Sequence, residues 1–150
     1  MKKITPFLWF DTQAEEAMNH YVSIFKNSKV LNVNHAGDKV MTVTFELDGQ
    51  QFIGLNAGPM FKFTEAVSFL VNCESQEEVD DFWEKLSQGG EKGRCGWLKD
   101  RYGLSWQIVP SALSRLMSDP NPKKSKAVFD AMMKMNKIEI SELQRAYDQT

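Results

Sequence analysis

Residues 5–24, TPFLWFDTQAEEAMNHYVSI, lie without a gap over residues 67–86, VSFLVNCESQEEVDDFWEKL, when the chain is slid along itself by 62 positions. Phe7-Leu8 falls on Phe69-Leu70, Glu15-Glu16 on Glu77-Glu78, Ala17 on Val79, Tyr21 on Trp83 and Ile24 on Leu86. Such a repeat decides the fold before any single element does, because each copy is one supersecondary unit. In each copy a short apolar run precedes apolar residues at helical spacing: Ala14, Ala17, Met18, Tyr21 and Phe25, then Val79, Phe82, Trp83 and Leu86. Thr12 with Glu15, and Ser75 with Glu78, have the spacing of a capping box. Asn27 and the pair Gly89-Gly90 supply the stops.

Three β-rich runs follow the first helix, KVLNVNHA, KVMTVTFELDG and QQFIGLNAG, separated by Gly37-Asp38 and Asp48-Gly49. They read as an antiparallel meander, with Met41, Val43, Phe45 and Leu47 on one face of the middle strand. After the second helix come EKGRCG, WLKD and LSWQIVP, with a turn at Tyr102-Gly103. An offset of 54 lays Gly49 on Gly103, Phe52 on Trp106 and Ile53 on Gln107. The predicted fold is therefore α+β: two βαβββ modules, 1–60 and 61–110, followed by a helical tail, 111–150, in one domain. In the tail SALSRLMSD precedes the breaker Asp119-Pro120-Asn121-Pro122. A second helix then carries Ala127, Val128, Ala131, Met132 and Met135 on one stripe, and Ser141 with Gln144 opens a last one. The stripe either covers the sheet or packs on a second subunit, since methionine adapts to irregular contacts.

At 150 residues the chain can bury a real core without disulfides. Its two cysteines, Cys73 and Cys95, read as free thiols of a reducing cytoplasm. The opening apolar run stops at Asp11, too short for a secretory h-region or a membrane span. A net charge of −2 with interspersed signs offers no basic field for nucleic acid. The lysines of PNPKKSKAVF read as a solvated helix start.

The stretches ITPFLWFDTQAEEAMNHY, FLVNCESQEEVDDFWEKL, GRCGWLKDRYGLSWQIVP and KAVFDAMMKMNKIEISELQRAYD resemble the PhnB-like family of the vicinal oxygen chelate (glyoxalase-like) superfamily. That family is often labelled a 3-demethylubiquinone-9 3-methyltransferase domain. The resemblance implies two sheets with helices outside and a cleft between the halves. It also implies that metal-dependent relatives hold a divalent ion with residues of the opening and closing strands of both halves. The corresponding positions here are Thr5, Val67 by the repeat, Gln107, and Ile53 (Gly54 or Asn56 if the register slips). Valine and isoleucine donate nothing and two neutral oxygens hold a divalent cation weakly, so no metal is expected. His20 lies on the polar flank of its helix, and His35 shares a strand face with Leu31 and Val33. Neither has a partner at ligand spacing.

The methyltransferase label meets a similar objection. A doubly wound enzyme using S-adenosylmethionine needs a Gly-rich turn from strand to helix, and GGEKG at 89–93 instead follows a helix. Cys95, between Arg94 and Gly96 with Lys92 and Lys99 nearby, is the candidate nucleophile, because nearby positive charge favours thiolate. Its plainer reading is a small residue in a tight connection. Asp100 precedes a turn whose N–H groups it can bind. Trp106 and Ile108 alternate with Ser105, Gln107 and Val109. Period two puts Thr5, Phe7 and Trp9 on the cleft side, with Trp97, His35 and Gln107 as further candidates for ligand binding. Aromatic walls with few polar handles suit a small, partly apolar or planar molecule. The expected function is thus a metal-free, homodimeric small-molecule-binding protein of the glyoxalase fold. The alternative is an enzyme of lyase, isomerase or dioxygenase type with an atypical metal or a Cys95 thiolate.

Overall fold

A computed structural model describes residues 2–150. The chain divides into two compact units, one ending at Phe63 and the other running from Thr64 to Thr150. The first comprises β1 (Phe7–Phe10), α1 (Ala14–Ile24), β2 (Lys29–Ala36), β3 (Lys39–Leu47) and β4 (Gln50–Asn56). Its sheet has the order β1-β4-β3-β2, with β1 parallel to β4 and the other pairs antiparallel. The second comprises β5 (Ser68–Cys73), α2 (Gln76–Ser87), β6 (Glu91–Lys92), β7 (Trp97–Lys99), β8 (Ser105–Pro110), α3 (Ser111–Met117), α4 (Pro122–Met132) and α5 (Ile140–Asp148). Its sheet repeats the same connectivity, β5-β8-β7-β6, with β5 parallel to β8. The architecture is α+β with two βαβββ modules and a helical tail. No helix among the described residues is long and apolar enough to cross a membrane.

Each sheet has one face under its helix. In the first unit Ala14, Ala17, Met18 and Tyr21 of α1 are buried together with Leu8, Phe10, Val43, Phe45, Leu47 and Phe52. Tyr21 lies 6.3 Å from the Phe45 ring, which stacks on Phe52 at 5.5 Å. Gly54 makes this approach possible: an added Cβ would stand 3.4 Å from the Ala14 methyl and 3.0 Å from Val43. Between β3 and β4, Asp48 and Gly49 have φ of 49° and 82°, the paired left-handed residues of a type I′ hairpin. In the second unit Val79, Trp83 and Leu86 of α2 are buried with Cys73, Leu98, Trp106 and Ile108.

The repeat holds for the helices, since Ala17 and Val79, Tyr21 and Trp83, and Ile24 and Leu86 are all buried. It slips by one residue in the opening strands. Phe7 is 57 % exposed on the face away from α1, whereas Phe69 lies on the helix side against Trp106. Phe7 pairs with Ile53 and Leu70 pairs with Gln107, so the strands superpose with an offset of 63. The same slip explains the caps. Ser75 accepts from the Glu78 N–H at 3.2 Å, as its spacing predicts. The equivalent position in α1 is Gln13, which makes no side-chain cap, so the expected Thr12–Glu15 box does not form. Asn56 of β4 fills the gap, its Oδ1 accepting from Ala14 N–H at 2.8 Å. Met41 also leaves its expected face: a register shift between Asn34 and His35 puts it at a bulge, 48 % exposed.

The tail packs on the second unit. Leu113, Leu116, Val128, Ile138 and Leu143 form its buried cluster, with Met132 and Met135 packed against it. The methionine stripe read as a possible subunit contact is thus used inside this unit. No cap from Ser141 opens α5: the Glu142 and Leu143 N–H groups go to the Glu139 carbonyl. Polar clamps fix the tail to α2: Gln76 accepts from Ile140 N–H at 2.7 Å, and Lys137 pairs with Asp80 at 2.8 Å.

Candidate functional site

The face of each sheet turned away from its helix carries the residues singled out from the sequence. On the first sheet, cross-strand pairing sets Phe7, Ile53, Thr44 and Asn32 in one row. Trp9, Leu55, Thr42 and Asn34 form the next. Thr5 precedes β1, half-buried. Trp9 is already engaged: its indole N–H donates to the Gly58 carbonyl at 2.9 Å and its ring meets Phe61 edge-on at 4.8 Å. Val33 pairs with Val43 on the helix side, and His35, beyond the bulge in β3, pairs with Val40 and is exposed. His20 is half-buried rather than solvated, 5.8 Å from the Tyr21 ring.

On the second sheet one row holds Leu70, Gln107 and Trp97, and the row beside it Ser68, Ser105 and Lys99. The Gln107 amide donates to Ser68 Oγ at 3.0 Å, linking the rows. Lys99 pairs with Glu65 at 2.6 Å, a hydrogen bond that lowers the pKa of the carboxyl and raises that of the amine. Sequence reasoning placed Ser105 beside Gln107 by alternation but passed over the row it forms. Lys99 was read only as a charge near Cys95, and Ser68 was hidden by the one-residue slip.

The hairpin beneath this face is built on Asp100, 2 % exposed. Its Oδ1 accepts from the N–H groups of Tyr102 and Leu104 at 2.8 and 3.0 Å, and its Oδ2 from the Trp106 indole at 2.9 Å. It sets the β7–β8 turn and pins Trp106 to the core side, which leaves Gln107 on the open side.

Cys95 lies in the connection from β6 to β7 with φ of 57°. The loop is tied to the tail: Cys95 and Gly96 N–H groups donate to Met135 and Asn136 carbonyls, both at 2.8 Å. Each cation expected to activate the thiol has a partner of its own. Arg94 donates to the Met133 carbonyl, Lys92 pairs with Glu84 and Lys99 with Glu65. The sulfur itself sits 3.8 Å from Met133 Sδ. Cys73 is fully buried, and burial pushes its thiol up to about 12. In native protein at mildly alkaline pH, iodoacetamide is expected to label Cys95 no faster than a cysteine in an unstructured peptide and to spare Cys73. A Cys95 rate well above the peptide's would restore the activated thiol.

With this geometry in view, the relatives fall into place. The sequence model of the 3-demethylubiquinone-9 3-methyltransferase family matches residues 2–109. The chain belongs to this PhnB-like family. The match stops short of the tail, which the resemblance read from the sequence includes. A PhnB protein of Bacillus cereus bearing the same methyltransferase label is 37 % identical, with a TM-score of 0.69 over 73 % of this chain and 99 % of that one. Protein PA1353 of Pseudomonas aeruginosa is 18 % identical (TM-score 0.62, 73 % of this chain, 98 % of that one) and shares the fold. So does the fosfomycin resistance protein FosX of Listeria monocytogenes, a structure complexed with Mn(II) and sulfate, at 15 % identity (TM-score 0.52, 73 % and 91 %). No curated protein matches the chain. The fold is that of the vicinal oxygen chelate superfamily.

Two groups implied by this PhnB-like kinship can be tested on the residues. For a divalent metal, the corrected repeat replaces Val67 by Ser68, giving Thr5, Ile53, Ser68 and Gln107. None is anionic or an imidazole, Ile53 is a hydrocarbon, and the Ser68 oxygen is occupied by Gln107. Among the described residues no group of three or more His, Cys, Asp or Glu stands together. This donor set does not fit a hard divalent ion. For S-adenosylmethionine, the strand-to-helix turns are Asp11-Thr12-Gln13 and Glu74-Ser75, with no glycine in either, so the close backbone approach of a doubly wound cofactor site is lacking.

Proposed function

We propose that this PhnB-like protein binds a small, planar or partly apolar organic molecule on its open sheet faces without a glyoxalase-type metal. The observation that carries the reading is the row Leu70, Gln107 and Trp97. It joins a half-buried indole, an amide with a free carbonyl oxygen and an exposed aliphatic side chain on the sheet face turned away from α2. Stacking on Trp97 supplies area, and Gln107, oriented by Ser68, supplies direction. Phe7 and Ile53 offer a similar apolar row in the first unit, with Thr5 beside them. Trp9, its indole N–H already used, contributes surface only. Binding rather than turnover fits the groups on these faces, whose acids and bases, Glu65 with Lys99 and Glu46 with Lys29, are paired with one another.

Calorimetric titration with 2-naphthol, a neutral planar probe, tests this. Trp97→Ala and Gln107→Ala are each expected to weaken binding roughly tenfold, about 1–1.5 kcal/mol, with EDTA without effect. A stoichiometric divalent metal whose removal abolishes binding would sink the metal-free reading. A homodimer remains part of the proposal. Since the methionine stripe is used internally, its support is the exposed pair Phe129 and Met133, one turn apart on the outer side of α4. Sedimentation of the Phe129→Glu variant as a monomer, against a wild-type dimer, is the expected result.

A further inference from the structure

Ser105 is the anomaly of the second sheet. The residue is 1 % exposed, and its hydroxyl has no hydrogen-bond partner. A buried hydroxyl left without a partner is destabilising, so an orphan of this kind needs a reason. A valine would satisfy a β-strand as well and spare the penalty.

Register sets Ser105 between Ser68 and Lys99. Ser68 accepts from Gln107, so its own proton is available to donate. Lys99 is held by Glu65, from the segment that leads into β5. That segment is folded on itself, with Thr64 accepting from the Ala66 and Val67 N–H groups. The Glu65–Lys99 pair is short, but its side chains are 63 % and 39 % exposed. Screening by water weakens such a pair, so another carboxylate can exchange it at little cost. Two hydroxyl donors and one ammonium thus stand in a row, with an internal carboxylate already on the ammonium.

We infer that this row recognises an acidic group of the ligand, and that the Glu65 carboxylate is a built-in stand-in for it. On binding, the ligand's carboxylate displaces Glu65 from Lys99 and takes the free protons of Ser105 and Ser68. The inference rests on the proposed binding at this face and narrows its ligand to a planar aromatic monoacid. Adjacent rows on one sheet face are about 7 Å apart, so a ring over Trp97 and Gln107 puts its acid over Lys99 and Ser105. Glu91, opposite Lys99 on β6, keeps a second carboxylate close and disfavours a dianion.

The test compares 2-naphthoate with its neutral amide, 2-naphthamide, by calorimetry and by the backbone amide signals of Ser105 and Gln107. Glu65→Gln is expected to tighten naphthoate about five- to tenfold, Lys99→Met to weaken it at least tenfold, and Ser105→Ala to weaken it severalfold. Naphthamide is expected to be indifferent to Glu65. Glu65 is exposed, so its variant folds whatever Ser105→Ala does to stability. If naphthoate and naphthamide bind alike, and alike to Glu65→Gln, the stand-in is overturned while binding at the face survives. If neither probe binds any form and no signal at Gln107 moves, both readings fall.

Discussion

Asp100→Ala lowers the stability of the second unit by about 3 kcal/mol or more, because it strands several donors at once in a buried turn. The Leu104 N–H and Trp106 indole contacts are buried and the Tyr102 N–H contact partly so. Ring and turn both lose the carboxylate that anchors them. Asp100→Asn keeps the shape but sets an NH2 against an N–H, so it recovers only part of the loss. Urea unfolding followed by tryptophan fluorescence measures this as a lower midpoint at unchanged slope. A loss below about 1 kcal/mol would mean that the turn holds without its carboxylate. The same variant is expected to impair binding at Gln107 and Trp97, since both flank the hairpin that Asp100 sets.

Gly90→Ala is the second large effect. The new Cβ would overlap the Lys99 carbonyl oxygen and stand 2.6 Å from the Asp100 carbonyl carbon. Both obstacles are backbone, so no rotamer change relieves them. Either the 89–93 connection lifts off the β7 hairpin or the hairpin shifts, at a cost of about 3 kcal/mol or more. Gly103→Ala, with open space around its Cβ, isolates the effect of backbone strain from that of contact. Thermal melts of the two variants are expected to differ strongly, and equal melting temperatures would remove the steric argument. The GGEKG cluster is therefore explained by close packing after a helix and needs no phosphate or cofactor.

The repeat and its periodicities made most of the fold legible. Helix faces, the three-strand meander, the Asp48-Gly49 hairpin and the Asp100 turn all follow from spacing, because side-chain direction repeats every 2 or 3.6 residues. The open face of Gln107 and Trp97 was legible for the same reason. What escaped was anything set by one residue of register. The gapless alignment hid the slip that makes Ser68, not Val67, the counterpart of Thr5 and denies α1 the cap that α2 has. The bulge at Met41 gave His35 Val40 as its partner in place of Met41.

Sequence by itself determined the two βαβββ units, the family and the poverty of the metal positions, since all three depend on residue type and local period. Only the tertiary structure decided which polar groups stay unpaired. Glu65 and Lys99, 34 positions apart, form a pair; Arg94 and Lys92, beside Cys95, bond to Met133 and Glu84; Asn56 caps a helix 42 residues earlier; and Ser105 is left without a partner. Hydrogen bonds and ion pairs act over a few ångströms, and the strand register that brings their partners within reach is a property of the packed sheet, not of any one segment.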